Sequence, residues 1–193
     1  MPALDIDLNE ARKVFDVNFF GILELIQVFS PMLISAKGCI INNSSMGGYQ
    51  PFPFTSMYVA TKAALNIAGE AWRLELAPLG VRVITLITGG VDTKFLENLN
   101  TPALPEGSHY ICIKDMIAEQ AQRVPFGVSP EVFARDVLRQ VTKGTSGKYW
   151  IGGAICIARV ALWLFPQSML DRVSLWQKPF TKKLAENHEK KLA

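Results

Sequence analysis

The sequence predicts an α/β fold, a parallel sheet with helices on both faces, and three observations carry that reading. Cys39-Ile40-Ile41-Asn42-Asn43 and residues 81–87 are short, largely β-branched runs without clean apolar/polar alternation, the pattern of strands covered on both sides. Between them, residues 58–76 have helical length and spacing. A further strand-like run, residues 148–151, follows a helix that opens at Ser129-Pro130-Glu131 with a cap, a first-turn proline and an acidic first turn, and extends to Thr142. Strands alternating with helices imply parallel pairing, because a parallel neighbour needs a crossover.

Composition narrows the class. The chain has 193 residues, 49% apolar and 19% charged, enough for one domain with a real core and unlike a disordered segment. The net charge is +3, with no block of Lys/Arg interleaved with aromatics, so nucleic-acid binding has no footing. Cys39, Cys112 and Cys156 lie far apart in apolar segments and read as buried thiols, not a disulfide framework. His109 and His188 have no metal-ligand spacing, so no metal is expected. Residues 1–7 lack the basic and apolar regions of a signal peptide.

Each element has a local cause. Asp7 with Glu10 three positions later has capping-box spacing and opens a helix. The run from Val14 to Leu33 is apolar on most sides, which predicts a buried helix. Asn18 lies in its middle and needs a partner, because an unsatisfied buried amide costs about 1–3 kcal/mol. Residues 44–53 form a loop in which Gly47-Gly48 supplies a turn and Pro51-Phe52-Pro53-Phe54 a stiff apolar wall. Ala60, Ala63, Ala64, Ala68 and Gly69 leave room for a neighbouring helix, and Pro78-Leu79-Gly80 ends the long helix. Residues 88–93, Thr-Gly-Gly-Val-Asp-Thr, occupy the C-terminal end of the second strand, where open α/β sheets bind ligands. Residues 94–127, rich in Pro and Gly with a helical pattern at 110–122, read as a substrate lid in which His109 and Tyr110 lie at the surface.

The chemistry-bearing residues gather in one stretch. Tyr58 and Lys62 are one helical turn apart and share a face. A tyrosine has an ordinary pKa of about 10, too high for ready proton exchange at neutral pH. An ammonium one turn away favours the phenolate, so Lys62 is expected to lower that value. Ser44 and Ser45 both precede the tyrosine.

With Asp16-Val17-Asn18-Phe19-Phe20-Gly21, Asn42-Asn43-Ser44-Ser45-Met46-Gly47-Gly48, Tyr58-x-x-x-Lys62 and the 88–93 turn all in order, the chain resembles the short-chain dehydrogenase/reductase family over residues 7–153. The resemblance implies the C-terminal part of a Rossmann-like, doubly wound parallel sheet. It implies Ser45, by its interval to Tyr58, as the residue that holds the substrate oxygen, Tyr58 as acid/base, Lys62 as its tuner and ribose ligand, and Asn18 as holder of a relay water. Tyr58, Lys62, Gly90, Val91 and Thr93 would contact the cofactor, NADPH. Relatives commonly have Pro-Gly where this chain has Gly89-Gly90.

The family's Thr-Gly-x-x-x-Gly-x-Gly turn does not occur in this sequence, nor does its Asn-Asn-Ala-Gly segment. Gly47-Gly48, Gly89-Gly90 and Gly152-Gly153 stand in the wrong context to replace it. About three βα units, on the order of 90 residues, are therefore expected to be lacking, with an open sheet edge, poor solubility and no dinucleotide binding by this chain alone. Division into a partial catalytic domain, 1–153, and an apolar helix with a charged extension, 154–193, follows.

The 88–91 turn and the apolar run 154–165 resemble fungal 1-acyldihydroxyacetone phosphate reductases within the family. That implies a lipid-like ketone substrate, 1-acyl-glycerone phosphate, and a place at the endoplasmic reticulum or lipid droplet. A steroid- or retinoid-type reductase, and a truncated non-catalytic relative acting through a partner chain, are the alternatives. Residues 154–165 are too few to span a bilayer, which takes about 20. Two readings stay open: an interfacial anchor with Lys182, Lys183, Lys190 and Lys191 near headgroups, or a helix buried against the sheet or in a homodimer contact.

Overall fold

A computed structural model of the protein describes residues 1–94, 103–121, 126–176 and 180–192. Its centre is a three-stranded sheet ordered β1 (Cys39–Asn43), β2 (Arg82–Thr88), β3 (Gly147–Ile151), parallel throughout. Cys39 pairs with Arg82 and Asn43 with Leu86, while Ile84 pairs with Gly147 and Thr88 with Ile151. The central strand β2 is buried from Val83 to Ile87, and that double burial is why its side chains show no alternation.

The two faces of β2 are covered by different helices. Val83 packs with Leu65 and Trp72 of α3 (Ser56–Leu76), joined by Phe19, Ile22, Leu23 and Ile26. Ile84 and Leu86, with Ile151, face Phe133, Val137 and Val141 of α5 (Pro130–Thr142). The Ser129 hydroxyl caps α5 by accepting from the Val132 amide at 3.4 Å. A 3-10 turn, Ala77–Leu79, and Gly80 at φ 80° end α3, a left-handed conformation that glycine adopts without steric cost. Gly69, expected to receive a helix, instead meets the sheet at Thr85.

The first helical run departs from expectation. It comprises α1 (Leu8–Phe15), a π-helical turn (Asp16–Phe20) and α2 (Gly21–Ser35). Asp7 caps it, its carboxylate accepting from the Asn9 and Glu10 amides at 2.8 and 3.0 Å. Burial was expected; yet no residue of α2 is buried, and Val28 is 71% exposed. Ala11 of α1 is buried, and beyond it the stripe of Phe19, Ile22, Leu23 and Ile26 packs against the core, with Phe19 stacked 6.1 Å from Trp72. Length and a hydropathy of 1.7 would let Leu8–Ser35 cross a membrane, but that stripe lies on α3.

Beyond the sheet, a 3-10 turn (Ile111–Ile113) and α4 (Lys114–Ala121) replace the single helix expected at 110–122. The remaining expected lid residues, 95–102 and 122–125, lie outside those described. Tyr110 is half-buried against Phe54 at 6.0 Å, so only His109 of that pair is at the surface. The C-terminal segment forms α6 (Ile155–Leu164), α7 (Gln167–Trp176) and α8 (Phe180–Leu192). Phe180 joins Ile113, Ile117 and Phe54 in a separate apolar cluster. In α6 Ile155 alone is buried, Trp163 is 83% exposed and Ile157 77%. The expected burial of the thiols fails for Cys156, which is exposed on that helix, while Cys39 and Cys112 are intermediate.

Candidate active site

The loop between β1 and α3 brings the serine and tyrosine together. Ser44, 3% exposed, donates to the Lys62 carbonyl at 3.1 Å and thereby pins the loop to α3. Ser45 points the other way, accepting from the Gly47 amide at 3.0 Å and hydrogen-bonding the Tyr58 hydroxyl. The two serines thus have separate work, one tying helix to strand and one facing the phenol.

Gly48 permits this closeness. A Cβ there would collide with Asn66 Nδ2 and come within 2.8 Å of the Lys62 carbonyl carbon. The loop therefore lies directly on the helix backbone at the Lys62–Ala63 peptide. Asn66 is almost fully buried beneath it. The outer side of the same junction is a cleft of about 290 Å³ walled by Tyr49, Pro51, Phe52, Val59, Ala60 and Ala63.

Tyr58 and Lys62 project from one face of α3, with the Lys62 ammonium 5.7 Å from the phenol ring centre. Lys62 Nζ donates to the Asn43 carbonyl at 2.9 Å. Its pKa is lowered by burial. The expected lowering of the Tyr58 pKa by Lys62 does not occur: burial raises it, and the hydrogen bond with Ser45 draws it part of the way back. Desolvation of the phenolate outweighs the stabilisation it receives from the Ser45 hydrogen bond.

Asn18, on the π-helical turn, donates through Nδ2 to Thr61 Oγ1 at 3.2 Å, and Thr61 Oγ1 donates to the Tyr58 carbonyl at 2.7 Å. The tetrad expected from the sequence is therefore drawn around one turn of α3: Ser45 at the Tyr58 hydroxyl, Lys62 beside its ring, Asn18 behind its backbone.

Gly90, Val91 and Thr93 follow β2. The Gly90 carbonyl accepts from Gly153 N at 2.8 Å and Val128 N at 3.2 Å, and Asp92 N donates to the Val128 carbonyl at 2.9 Å. Val91 bridges to Val128, and Thr93 is exposed in a bend. Gly89-Gly90 and Gly152-Gly153, set aside in the sequence as out of context, meet here: a Cβ on Gly153 would land on the Phe126 carbonyl oxygen. They let the 88–93 turn, the end of the lid and the exit from β3 share one backbone knot. Asn43, whose carbonyl holds Lys62, also accepts from Thr88 Oγ1 at 2.8 Å through its own Oδ1. Sequence reasoning passed over Asn43, although an Asn pair ending a strand, where asparagine is disfavoured, was a usable signal.

The family model described as short chain dehydrogenase matches residues 1–103. The chain is 37% identical over 174 residues to short-chain dehydrogenase srdE of Neurospora crassa, covering 89% of this chain and 60% of that protein. It is 42% identical over 137 residues to an NADPH-dependent 1-acyldihydroxyacetone phosphate reductase of Schizosaccharomyces pombe, covering 69% of this chain and 46% of that one. A short chain dehydrogenase of Burkholderia cenocepacia, solved in complex with NADP, superposes with a TM-score of 0.64 at 27% identity, covering 89% of this chain and 62% of that one. The chain belongs to the short-chain dehydrogenase/reductase family of oxidoreductases, and its sheet is the Rossmann-like part that the sequence implied. It spans about 60% of the length of srdE.

Proposed function

We propose that the protein reduces a ketone to a secondary alcohol with NADPH, Tyr58 donating the proton. The observation that carries this reading is the state of Tyr58: its hydroxyl is hydrogen-bonded to Ser45 and burial raises its pKa, so the phenol is held protonated at neutral pH. A protonated phenol beside a serine hydroxyl suits the reductive direction, which ends with a proton on the carbonyl oxygen.

The residues at the site fit the nicotinamide–ribose half of the cofactor. Two hydroxyls and an ammonium, from Ser45, Tyr58 and Lys62, converge within one turn of α3, a donor set suited to a ribose diol and a carbonyl oxygen. Gly90, Val91 and Thr93 would take the carboxamide end. NADP in the Burkholderia structure and the NADPH dependence of the Schizosaccharomyces relative support the same choice. When bound, NADPH supplies the hydride. Ser45 orients the ketone oxygen and Tyr58 transfers its proton to that oxygen as charge develops there. The resulting phenolate is stabilised by the Lys62 ammonium held beside its ring. Asn18 supports the helix turn through Thr61 and would hold the relay water that reprotonates the site.

For the substrate we favour 1-acyl-glycerone phosphate, on the strength of the Schizosaccharomyces relative and of the apolar walls supplied by Pro51 and Phe52. The chain joined to the family's N-terminal βα units, purified and given NADPH, should consume it with this ketone and much more slowly with steroid or retinoid carbonyls. Equal or better turnover of a steroid ketone would reject the substrate. No NADPH consumption with any ketone would reject the reductase.

The location we propose is a membrane or lipid-droplet surface. The support is α6, which exposes Ile157, Val160, Trp163 and Leu164 and carries Arg159 as its one charged residue. The protein should sediment with membranes through an alkaline wash and become soluble when residues 154–165 are deleted. Sedimentation unaffected by the deletion would shift attention to the exposed face of α2 and to pairing of two chains there.

A further inference from the structure

We infer that Asn43 is a positioning residue that holds the Lys62 ammonium and the 88–93 turn in one register. The inference rests on the active-site reading above and adds a residue to it. Asn43 is the last residue of β1 and Thr88 the last of β2. The Ser44 amide donates to the Leu86 carbonyl at 2.9 Å, which carries the backbone pairing to within two residues of Thr88. The bond from Thr88 Oγ1 to Asn43 Oδ1, 2.8 Å, extends the tie to the point where the turn begins. On the same residue, the carbonyl oxygen accepts from Lys62 Nζ at 2.9 Å. One residue thus contacts both the ammonium beside Tyr58, through its backbone carbonyl, and the start of the turn, through its side-chain amide.

The placement is not explained by packing. Asn42 is 3% exposed, whereas Asn43, on the opposite face by strand alternation, is exposed. Asparagine is a poor strand residue, and an exposed one contributes nothing to the core. What it adds is a side-chain acceptor at the height where β1 and β2 part. The turn itself is tied on its far side, Gly89 N to the Ile151 carbonyl at 2.8 Å and Gly90 N to the Gly153 carbonyl at 3.3 Å. Asn43 ties the near side. A displacement of the turn moves Thr88, Thr88 draws on Asn43, and the carbonyl that holds Lys62 is re-aimed. Occupancy of the turn is in this way communicated to the lysine that serves Tyr58.

Amide hydrogen exchange of residues 89–92 in the ligand-free protein tests the tie without any turnover. Asn43→Ala should speed their exchange about tenfold, in line with loss of one hydrogen bond. Thr88→Val should do the same, the double variant should add nothing further, and Asn43→Asp, which keeps the acceptor, should restore protection. In the reduction assay Asn43→Asp should also move the alkaline limb of the pH profile upward, because a negative charge on the residue whose backbone carbonyl holds Lys62 favours its ammonium form. Exchange in Asn43→Ala equal to wild type, or additive effects in the double variant, overturns the inference. Absence of ketone reduction by the wild-type protein would count against the proposed function alone, since the exchange series still decides the bridge.

Discussion

Helices α3 and α6 each follow a strand at the ligand end of the sheet, yet they have opposite fates. Helix α3 mixes Thr, Lys, Asn, Glu and Arg with its apolar residues and buries Thr61, Leu65, Asn66, Gly69 and Trp72. Helix α6 is apolar but for Arg159 and buries Ile155 alone. Apolar content is therefore a poor guide to burial here. The interface of α3 is specified by pegs of defined shape and polarity: Thr61 reaches Asn18 and Gly69 admits Thr85. A polar side chain has few places where it can be buried at low cost, so it dictates register, while a uniformly apolar face accepts any apolar partner.

If specified contacts make α3 the catalytic platform, small changes there should act strongly. Ser45→Ala should lower turnover by about 10²–10³-fold, the scale for removing one preorganised oxyanion donor, with cofactor affinity little changed in a binding titration. Retained turnover would shift the oxygen-holding role to another residue. Gly48→Ala forces the loop off the Lys62 backbone and should cost about 10–100-fold in kcat, since a misplacement of roughly 1 Å is costly in this way. Wild-type kinetics would show that the loop relaxes freely.

Charge supplies a subtler probe of α3. The folded-state pKa of Lys62 is lowered, so its ammonium costs stability at neutral pH, and that cost is relieved as pH rises through the lowered value towards the ordinary lysine range near about 10. Tyr58 has the opposite sign. Its raised pKa contributes stability that is fully present below about pH 10 and is lost as pH climbs through the folded-state value. Lys62→Met should accordingly raise Tm by a few degrees at pH 7 and flatten the rise in stability that wild type shows as pH approaches the ordinary lysine value. An unchanged pH dependence would contradict the burial of that ammonium. For α6 the expected effect is smallest: Trp163→Glu should leave Tm within about 2 °C of wild type, since an exposed side chain contributes little, yet weaken binding to phospholipid vesicles. A large fall in Tm would show that Trp163 is covered.

Much of α3 and its site was legible in the sequence because spacing and residue type carry it. The i,i+4 relation of Tyr58 and Lys62 needs only helical geometry, and the double burial of β2 is written in its unbroken Val-Ile-Thr-Leu-Ile run. Two things were not legible. The direction of the Tyr58 shift is set by how deeply its hydroxyl is buried, a tertiary fact that local spacing does not contain. The meeting of Gly89-Gly90 with Gly152-Gly153 joins segments far apart in the chain, so each pair read alone as an ordinary turn. The exposure of α2 was missed, and that of α6 left open between an interfacial anchor and a buried helix, for the reason α3 was not: their apolar faces name no particular partner.

The central claim is that the Tyr58 hydroxyl delivers the proton. Single-turnover ketone reduction by Tyr58→Phe in a chain joined to the family's N-terminal βα units, measured beside NADPH binding to the same preparation, tests it most directly. Removal of a general acid that also polarises the carbonyl should slow the chemical step by at least about 10²–10⁴-fold, with binding within about threefold of wild type. A variant that binds NADPH normally and still reduces the ketone at a wild-type rate would contradict the account.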